Sequence, residues 1–295
     1  MNPSSPLIPT LSLPANFSIE NTPLVTFRRV DLLLDKTELV DLHRELYNPP
    51  ETFELFSEER FWSLSPKDYM PMFTASLPEA NYGTLIASTG GHWTTTVFHG
   101  FRNESRKDSG YGIEKVLEFF DHAMKKWAAD VQEALYADQR LGNGGLKAPR
   151  RVVVRAYLPG HEDCHNIFEP WTYLHKPNWD WYNWSWIKDF NAIFQVRILA
   201  GALDLKLIYI HYQRILSMPR YPDIFYLPID NPALLRPDAV GLCIPYGFKK
   251  KFTYQFFSQH ASGDCLHIMT GVGVMEGWSH YIWHFVSREL AGRIR

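Results

Sequence analysis

Cysteine is scarce in this sequence, and its few occurrences follow no recognisable spacing pattern. Cys164, Cys243 and Cys265 are the three cysteines among 295 residues, and no two of them stand in a Cys-x-x-Cys arrangement. Three cysteines are too few for a disulfide-rich scaffold, and the missing pairs argue against a redox or zinc motif of that type. The count is compatible with one disulfide and one free thiol.

Long apolar runs and an excess of charge of either sign are also missing. No run approaches the roughly 18 apolar residues that a membrane span requires, and the first residues lack the basic-then-apolar pattern of a signal peptide. The net charge is −2, and the basic residues are dispersed apart from three lysines at 249–251. We therefore expect a soluble chain, without a membrane segment and without nucleic acid as a partner.

Hydrophobic residues make up 45% of the chain and aromatic residues 15%, which is enough for a sizeable buried core. Residues 1–23 are rich in proline, serine and asparagine and predict an extended N-terminal arm, so that 24–295 forms the folded domain. Three triplets match the N-glycosylation pattern, which matters only in a secretory compartment; they begin at Asn16, Asn103 and Asn183.

Apolar periodicity indicates helices that alternate with short buried strands. Helical spacing marks 31–48, 113–135 and 186–203, and a second, aromatic segment runs from 53 to 73. Strands are predicted at 84–88, 151–157 and 205–210 because each is short and apolar. This alternation predicts an α/β fold with a mainly parallel sheet, whose carboxyl edge binds ligands.

The segment Gly-Asp-Cys-Leu-His at 263–267 carries the clearest chemistry. A carboxylate at Asp264 can hold the Nδ1 proton of His267, which leaves Nε2 free to act as a general base toward a hydroxyl. Taken alone, the pair is equally compatible with a hydrogen-bonded histidine at the start of a helix.

A second pattern, His161-Glu162-Asp163-Cys164-His165, matches the zinc motif His-Glu-x-x-His, in which two histidines one helical turn apart bind the metal. The motif requires a helix, whereas Pro159-Gly160 before it and Pro170 after it favour a loop. A zinc metalloprotease is therefore the least favoured function.

Three further blocks stand in a fixed order before and after the Asp264 motif. They are Ser-Thr-Gly-Gly-His-Trp at 88–93, Arg-Ala-Tyr-Leu-Pro-Gly-His at 155–161, and Gly277-Trp278. The combination resembles the C-terminal part of the trichome-birefringence-like, or PC-esterase, family of the GDSL/SGNH acyl-esterase superfamily, particularly its fungal members. The resemblance covers most of the chain and implies an SGNH-like three-layer α/β/α fold.

The resemblance also assigns roles to residues. It makes Asp264 the orienting carboxylate and His267 the base, and it places the loop formed by Ser88, Thr89, Gly90, Gly91 and His92 beside the acyl group. It implies substrate contacts for Arg155 and His161 and a disulfide between Cys164 and Cys265, which would indicate an oxidising secretory compartment, the Golgi or the extracellular space. Among five tryptophans between 171 and 186, Trp179 and Trp181 are the expected sugar contacts, and the others are expected in the core.

The chain departs from the family pattern at two points. The asparagine of the family's Asn-Thr-Gly-His-Trp block is absent, so backbone N–H groups of Gly90 and Gly91 are left as oxyanion donors. The serine block Gly-Asp-Ser is also absent, and Ser109 is expected to cap the long helix rather than to serve as nucleophile. The expectation is a truncated chain that holds the base and its orienting partner without the serine.

Residues 240–259 match nothing in the family pattern, whereas joining Ala239 to His260 restores it. The segment combines many apolar residues with three lysines, which is unusual for a surface loop. A translated intron is the favoured explanation, and an ordinary lineage-specific loop is the alternative.

The sequence thus predicts an O-acyl (acetyl) transferase or esterase that acts on a polysaccharide with an acyl donor, uses no cofactor or metal, and follows a Ser-His-Asp mechanism. Whether this chain is itself an active enzyme is left open by the missing serine. A non-catalytic carbohydrate-binding or scaffolding protein is the alternative.

Overall fold

The structure is a computed structural model that describes residues 21–23, 25–146, 148–162, 164, 167, 169–175, 181–194, 221–237, 265–266 and 274–289. The described helices are α1 (Lys36–Tyr47), α2 (Pro66–Thr74), α3 (Ile113–Arg140), α4 (Ile187–Phe194), α5 (Asp230–Leu234) and α6 (Val274–His284). The described strands are β1 (Thr84–Ala87), β2 (Arg151–Arg155) and β3 (Ile224–Leu227). The chain is therefore a mixed α/β protein, as its alternating sequence pattern predicts.

The three strands form one parallel sheet in the order β1-β2-β3. Thr84 aligns with Arg151 across the first pair, and Val152 aligns with Ile224 across the second. Both predicted strands that fall in the described residues are confirmed, whereas β3 is a strand that the sequence analysis missed. The strand expected at 205–210 lies outside the described residues.

Helix α3 is the centre of the main hydrophobic core. Its side chains Phe120, Trp127 and Val131 are fully buried, and they share this core with Val152 and Val154 of β2. Gly112 is the N-cap residue before this helix, and its φ of 86° is favourable for glycine because it has no Cβ. Ser109 lies in the preceding 3₁₀ segment and donates to the carbonyl of Arg106, so the predicted capping role is wrong.

A second core covers the opposite face of β2. Because side chains alternate along a strand, Val153 points away from α3 and joins Leu227, Trp278 and Phe285. Trp278 lies on α6, and Phe285 begins the turn of π-helix at Phe285–Glu289. The central strand is thus buried on both faces, which explains its uninterrupted valine run.

Local capping fixes the first two helices relative to each other. Asp35 accepts a hydrogen bond from the Glu38 N–H, and the Glu38 carboxylate accepts from the Asp35 N–H, which forms a capping box at α1. Glu38 also accepts from the hydroxyl of Ser65, the residue that caps α2. The predicted helix at 31–48 is confirmed with a later start, because Asp35 opens it.

Only some of the remaining sequence predictions fall on residues that the structure describes. The helix predicted at 113–135 is confirmed and extends to Arg140, and the described part of 186–203 contains α4. The arm up to residue 20 and the suspected insertion at 240–259 lie outside the described residues. None of the described helices combines the length and hydrophobicity needed to cross a membrane.

Candidate functional site

The carboxyl ends of the three strands meet at one edge of the sheet, since all pairs are parallel. Ser88 follows β1, and Ala156 follows β2. The side chain of Arg155, the last residue of β2, donates from Nη2 to the hydroxyl of Ser88 over 3.0 Å. The first two sequence blocks are therefore in direct contact, although 67 residues separate these two positions.

The loop after β1 is held from inside the core. Thr89 is buried, and its hydroxyl donates to the carbonyl of Asp31 over 2.7 Å and accepts from Trp93 Nε1 over 2.9 Å. Trp93 is fully buried, and its backbone N–H donates to the carbonyl of Gly90. This part of the predicted acyl-site loop is consequently fixed by packing rather than free to move.

Gly91 allows the loops after β1 and β2 to approach closely. A Cβ atom at Gly91 would lie 2.6 Å from the ring of Tyr157, so a larger residue would displace that ring. Asn191 of α4 holds Tyr157 in place, because its side chain accepts from the Tyr157 N–H and donates to the Tyr157 carbonyl. Within the described part of the chain, the N–H groups of Gly90 and Gly91 donate to no protein acceptor.

His92 has a carboxylate partner that the sequence analysis missed. Its Nδ1 lies 3.5 Å from Oδ1 of Asp31, whose other oxygen accepts from the Trp62 N–H over 2.8 Å. Burial lowers the pKa of His92, and the charge of Asp31 opposes this shift in part. His92 is thus an oriented imidazole at this edge, favoured in its neutral form. No local spacing predicts the pair, because Asp31 belongs to the segment before α1.

Arg155 places a positive charge beside Ser88. Burial lowers the pKa of its guanidinium, while the nearby Tyr157 opposes that shift. No carboxylate of the described residues lies within ion-pairing distance of this group. A guanidinium in this environment can stabilise a developing oxyanion or bind an acidic substituent.

The disulfide suggested by the family resemblance is present. Cys164 and Cys265 are joined, with their Cα atoms 5.4 Å apart. The carbonyl of Cys265 also accepts a hydrogen bond from the His161 N–H over 2.9 Å. Asp264 and His267 lie outside the described residues, so only Cys265 and Leu266 between them can be described.

The side chain of His161 is buried. It is 1% exposed, and its Nε2 donates to the carbonyl of Leu234 over 3.0 Å. The backbone and ring of His161 therefore tie the loop after β2 to Cys265 and to α5. The ring is packed inside the protein in the described conformation, and the substrate contact predicted for this side chain stays a prediction.

An aromatic cluster lies beyond His161. We call Trp171, Tyr173 and His175 the aromatic cluster. The centroid of the His175 ring lies 4.2 Å from that of Trp171 and 4.1 Å from that of Tyr173. Tyr173 is 65% exposed, and Trp171 contacts the edge of the His161 ring. Aromatic rings with polar neighbours suit contact with sugar rings.

The tryptophans favoured from the sequence cannot be compared with this cluster. Trp179 and the side chain of Trp181 lie outside the described residues. Trp184 is buried and Trp186 packs against the main core, which confirms the expectation of core roles for these two.

The described residues of the zinc pattern do not lie on the helix that its chemistry needs. His161 and Glu162 lie outside any α-helix, and Cys164 within the motif is committed to the disulfide. His165 is not among the described residues. In the described part of the chain, no cluster of three or more potential ligands could hold a metal ion.

The site therefore contains a glycine loop with two amide donors, an oriented imidazole, a partly buried guanidinium and a tethered Cys265. These features lie in the loops after β1 and β2 or are bonded to them, whereas the predicted base His267 and its predicted partner Asp264 lie outside the described residues. Comparison of the chain with protein-family models, with curated proteins and with solved structures found no match.

Proposed function

We propose that this protein acts on O-acyl groups of a polysaccharide, as an acyltransferase or esterase with an SGNH-like three-layer fold. The observation that carries the proposal is the tether of Cys265. The disulfide to Cys164 and the hydrogen bond from His161 hold Cys265 against the loop after β2. Since Cys265 lies next to Asp264 and two residues before His267, this supports a position for the pair near the carboxyl edge.

In the proposed chemistry, different residues move the proton and stabilise the charges that develop during acyl transfer. A hydroxyl oxygen attacks the acyl carbonyl carbon while His267 Nε2 takes its proton, and Asp264 stabilises the imidazolium that results. We assign stabilisation of the oxyanion of the tetrahedral intermediate to the Arg155 guanidinium and to the N–H groups of Gly90 and Gly91, which donate to no described acceptor. Collapse of that intermediate breaks the bond to the departing oxygen, which receives the proton from His267.

The described packing supports the proposed layer arrangement. One core joins α3 to Val152 and Val154, and the other joins α6 to Val153, so helices cover both faces of β2. Site loops follow the carboxyl ends of β1 and β2, where open parallel sheets bind ligands. Transfer and hydrolysis share this chemistry and differ in whether a sugar hydroxyl or water accepts the acyl group.

The expected result of the activity test depends on the missing Gly-Asp-Ser block. We expect the purified chain to release acetate from an O-acetylated polysaccharide only at a residual rate, about 10³ to 10⁴ above water. Binding and the oxyanion donors carry that residual rate, so His267→Ala is expected to leave it nearly unchanged. Acetate release, measured enzymatically at several pH values, provides the readout.

Ser109→Ala is the matched control, because Ser109 is exposed and its hydroxyl donates to the carbonyl of Arg106 within the 3₁₀ segment. An organophosphonate that labels activated serines is expected to leave the chain unmodified. Robust turnover that survives His267→Ala would overturn the proposed role of this histidine. A labelled serine, located by mass spectrometry, would identify a nucleophile outside the Gly-Asp-Ser pattern.

A carbohydrate-binding protein without turnover is the second candidate. Two observations favour it: the chain has no Gly-Asp-Ser block, and the aromatic cluster presents Tyr173 to solvent. Glycan binding with no acetate release above the uncatalysed rate would support this function over acyl transfer.

Binding in either case is expected to depend on the aromatic cluster. Tyr173→Ala removes an exposed ring and should weaken polysaccharide affinity about tenfold, which corresponds to about 1.4 kcal/mol. Isothermal titration with a soluble polysaccharide measures the effect. Trp283→Ala is the control, because Trp283 is 70% exposed but lies on α6. Equal affinities for the two variants would exclude the cluster as the binding surface.

A further inference from the structure

Two of the three N-glycosylation triplets fall in described residues, and their asparagines have opposite surroundings. Asn103 is exposed at the start of the 3₁₀ segment Glu104–Gly112. Asn183 is 3% exposed and lies between Trp181 and Trp186 in another 3₁₀ segment. Exposure decides whether a folded protein can carry a large polar glycan at a given side chain.

The side-chain amide of Asn103 accepts hydrogen bonds from within its own glycosylation triplet. Its Oδ1 accepts from the Ser105 N–H over 3.0 Å and from the Ser105 hydroxyl over 2.6 Å, so the hydroxyl of the triplet contacts the amide to be modified. No described residue accepts a hydrogen bond from its Nδ2. Residues 103–109 are exposed as a continuous stretch, which leaves room for a glycan.

The carboxamide of Asn183 is fully engaged in the core. Its Oδ1 accepts from the Thr95 N–H over 3.0 Å and from the Thr95 hydroxyl over 3.1 Å. Its Nδ2 donates to the carbonyl of Gly110 over 3.0 Å. A glycan on this nitrogen would have to occupy buried space, so modification at Asn183 is incompatible with the described packing.

The disulfide gives an independent reason to expect contact with the glycosylation machinery. Structural disulfides such as Cys164–Cys265 form and persist in oxidising compartments, which include the lumen where asparagine is glycosylated. The disulfide and a glycan at Asn103 would therefore form in the same compartment.

We infer that Asn103 is an N-glycosylation site of this protein and that Asn183 is not modified. In the reaction, Nδ2 of Asn103 bonds to the anomeric carbon of an oligosaccharide carried on a lipid diphosphate. The bond from that carbon to the diphosphate breaks, the diphosphate leaves with the electron pair, and Nδ2 gives one proton to a base of the transferase. The inference is independent of the proposed acyl chemistry.

The test is expression of the full chain behind a cleavable leader in a eukaryotic secretory host. We expect a peptide N-glycosidase, an amidase that hydrolyses the bond between the side-chain carbonyl and the glycosylated nitrogen, to increase the mobility of the secreted protein. The same reaction converts Asn103 to aspartate, which peptide mass spectrometry detects. Asn103→Gln and Ser105→Ala should each abolish the mobility change. Ser185→Ala, which destroys the triplet at Asn183 without altering that asparagine, should leave it unchanged.

A further variant separates glycosylation from folding. Glu104→Pro keeps both Asn103 and Ser105 but breaks the triplet, since proline is not accepted at its middle position. Proline is tolerated at the first position of a helix, and Asn103 already has the extended backbone that precedes proline. Secreted, disulfide-bonded wild-type protein with unmodified Asn103 would overturn the inference, as would a glycan on Asn183 in such protein.

Discussion

Replacing Arg150 by methionine is expected to lower the free energy of unfolding by about 3–5 kcal/mol, the usual cost of removing one member of a buried ion pair. Arg150 is 1% exposed and its Nε donates to Asp138 over 3.0 Å. Its other nitrogens donate to five backbone carbonyls, those of Phe73, Thr74, Ala75, Tyr82 and Asn143. Methionine fills similar volume but leaves Asp138 and these acceptors without their donor.

Urea denaturation measures the effect as a shift in the midpoint of unfolding, provided that the slope of the unfolding free energy against urea concentration stays unchanged. Arg140→Met is the matched control, because Arg140 and its partner Glu133 have side chains 65% and 70% exposed. An exposed pair of this kind contributes about 0–1 kcal/mol. A similar midpoint for the two variants would show that Arg150 does not hold α2, α3 and the start of β2 together.

Removing the disulfide by replacing Cys164 and Cys265 with alanine is expected to cost about 2–5 kcal/mol of stability. The bond joins residues 101 apart in sequence, so its loss releases a long loop in the unfolded chain. We also expect the variant to lose any activity that depends on His267, since the covalent bond that fixes Cys265 to the loop after β2 would be gone and the His161 hydrogen bond would remain. Denaturation curves and acetate release measure these effects separately.

Thiol titration provides the control for this prediction. Denatured, unreduced wild-type protein should contain one free thiol, that of Cys243, and reduction should bring the total to three. Unchanged stability of the double alanine variant would contradict a structural role for the bond. Three free thiols before reduction would show that the pairing does not form in the purified protein.

The sequence by itself determined the elements whose stability is local. Helix α3 follows from its apolar spacing, because one face of a long helix must be buried whatever packs against it. Strands β1 and β2 follow from short apolar runs. The disulfide followed from the resemblance of motifs and not from spacing, since a separation of 101 residues carries no geometric information.

Only the tertiary structure decided which distant groups meet. Strand β3 has four residues between Pro222 and Pro228, too short for a periodic signal, and it forms because β2 offers a free edge to pair with. The contact between Asp31 and His92 depends in the same way on chain segments that meet only when the core packs.

The two glycosylation triplets show most clearly the difference between what the sequence determines and what the tertiary structure decides. Their sequence patterns are equivalent, yet Asn103 is exposed and Asn183 is buried against Thr95 and Gly110. The polarity of a side chain predicts exposure only on average, because a buried amide is stable wherever the fold supplies its hydrogen-bond partners. Those partners come from residues far away in the sequence, so their presence is a property of the packed chain.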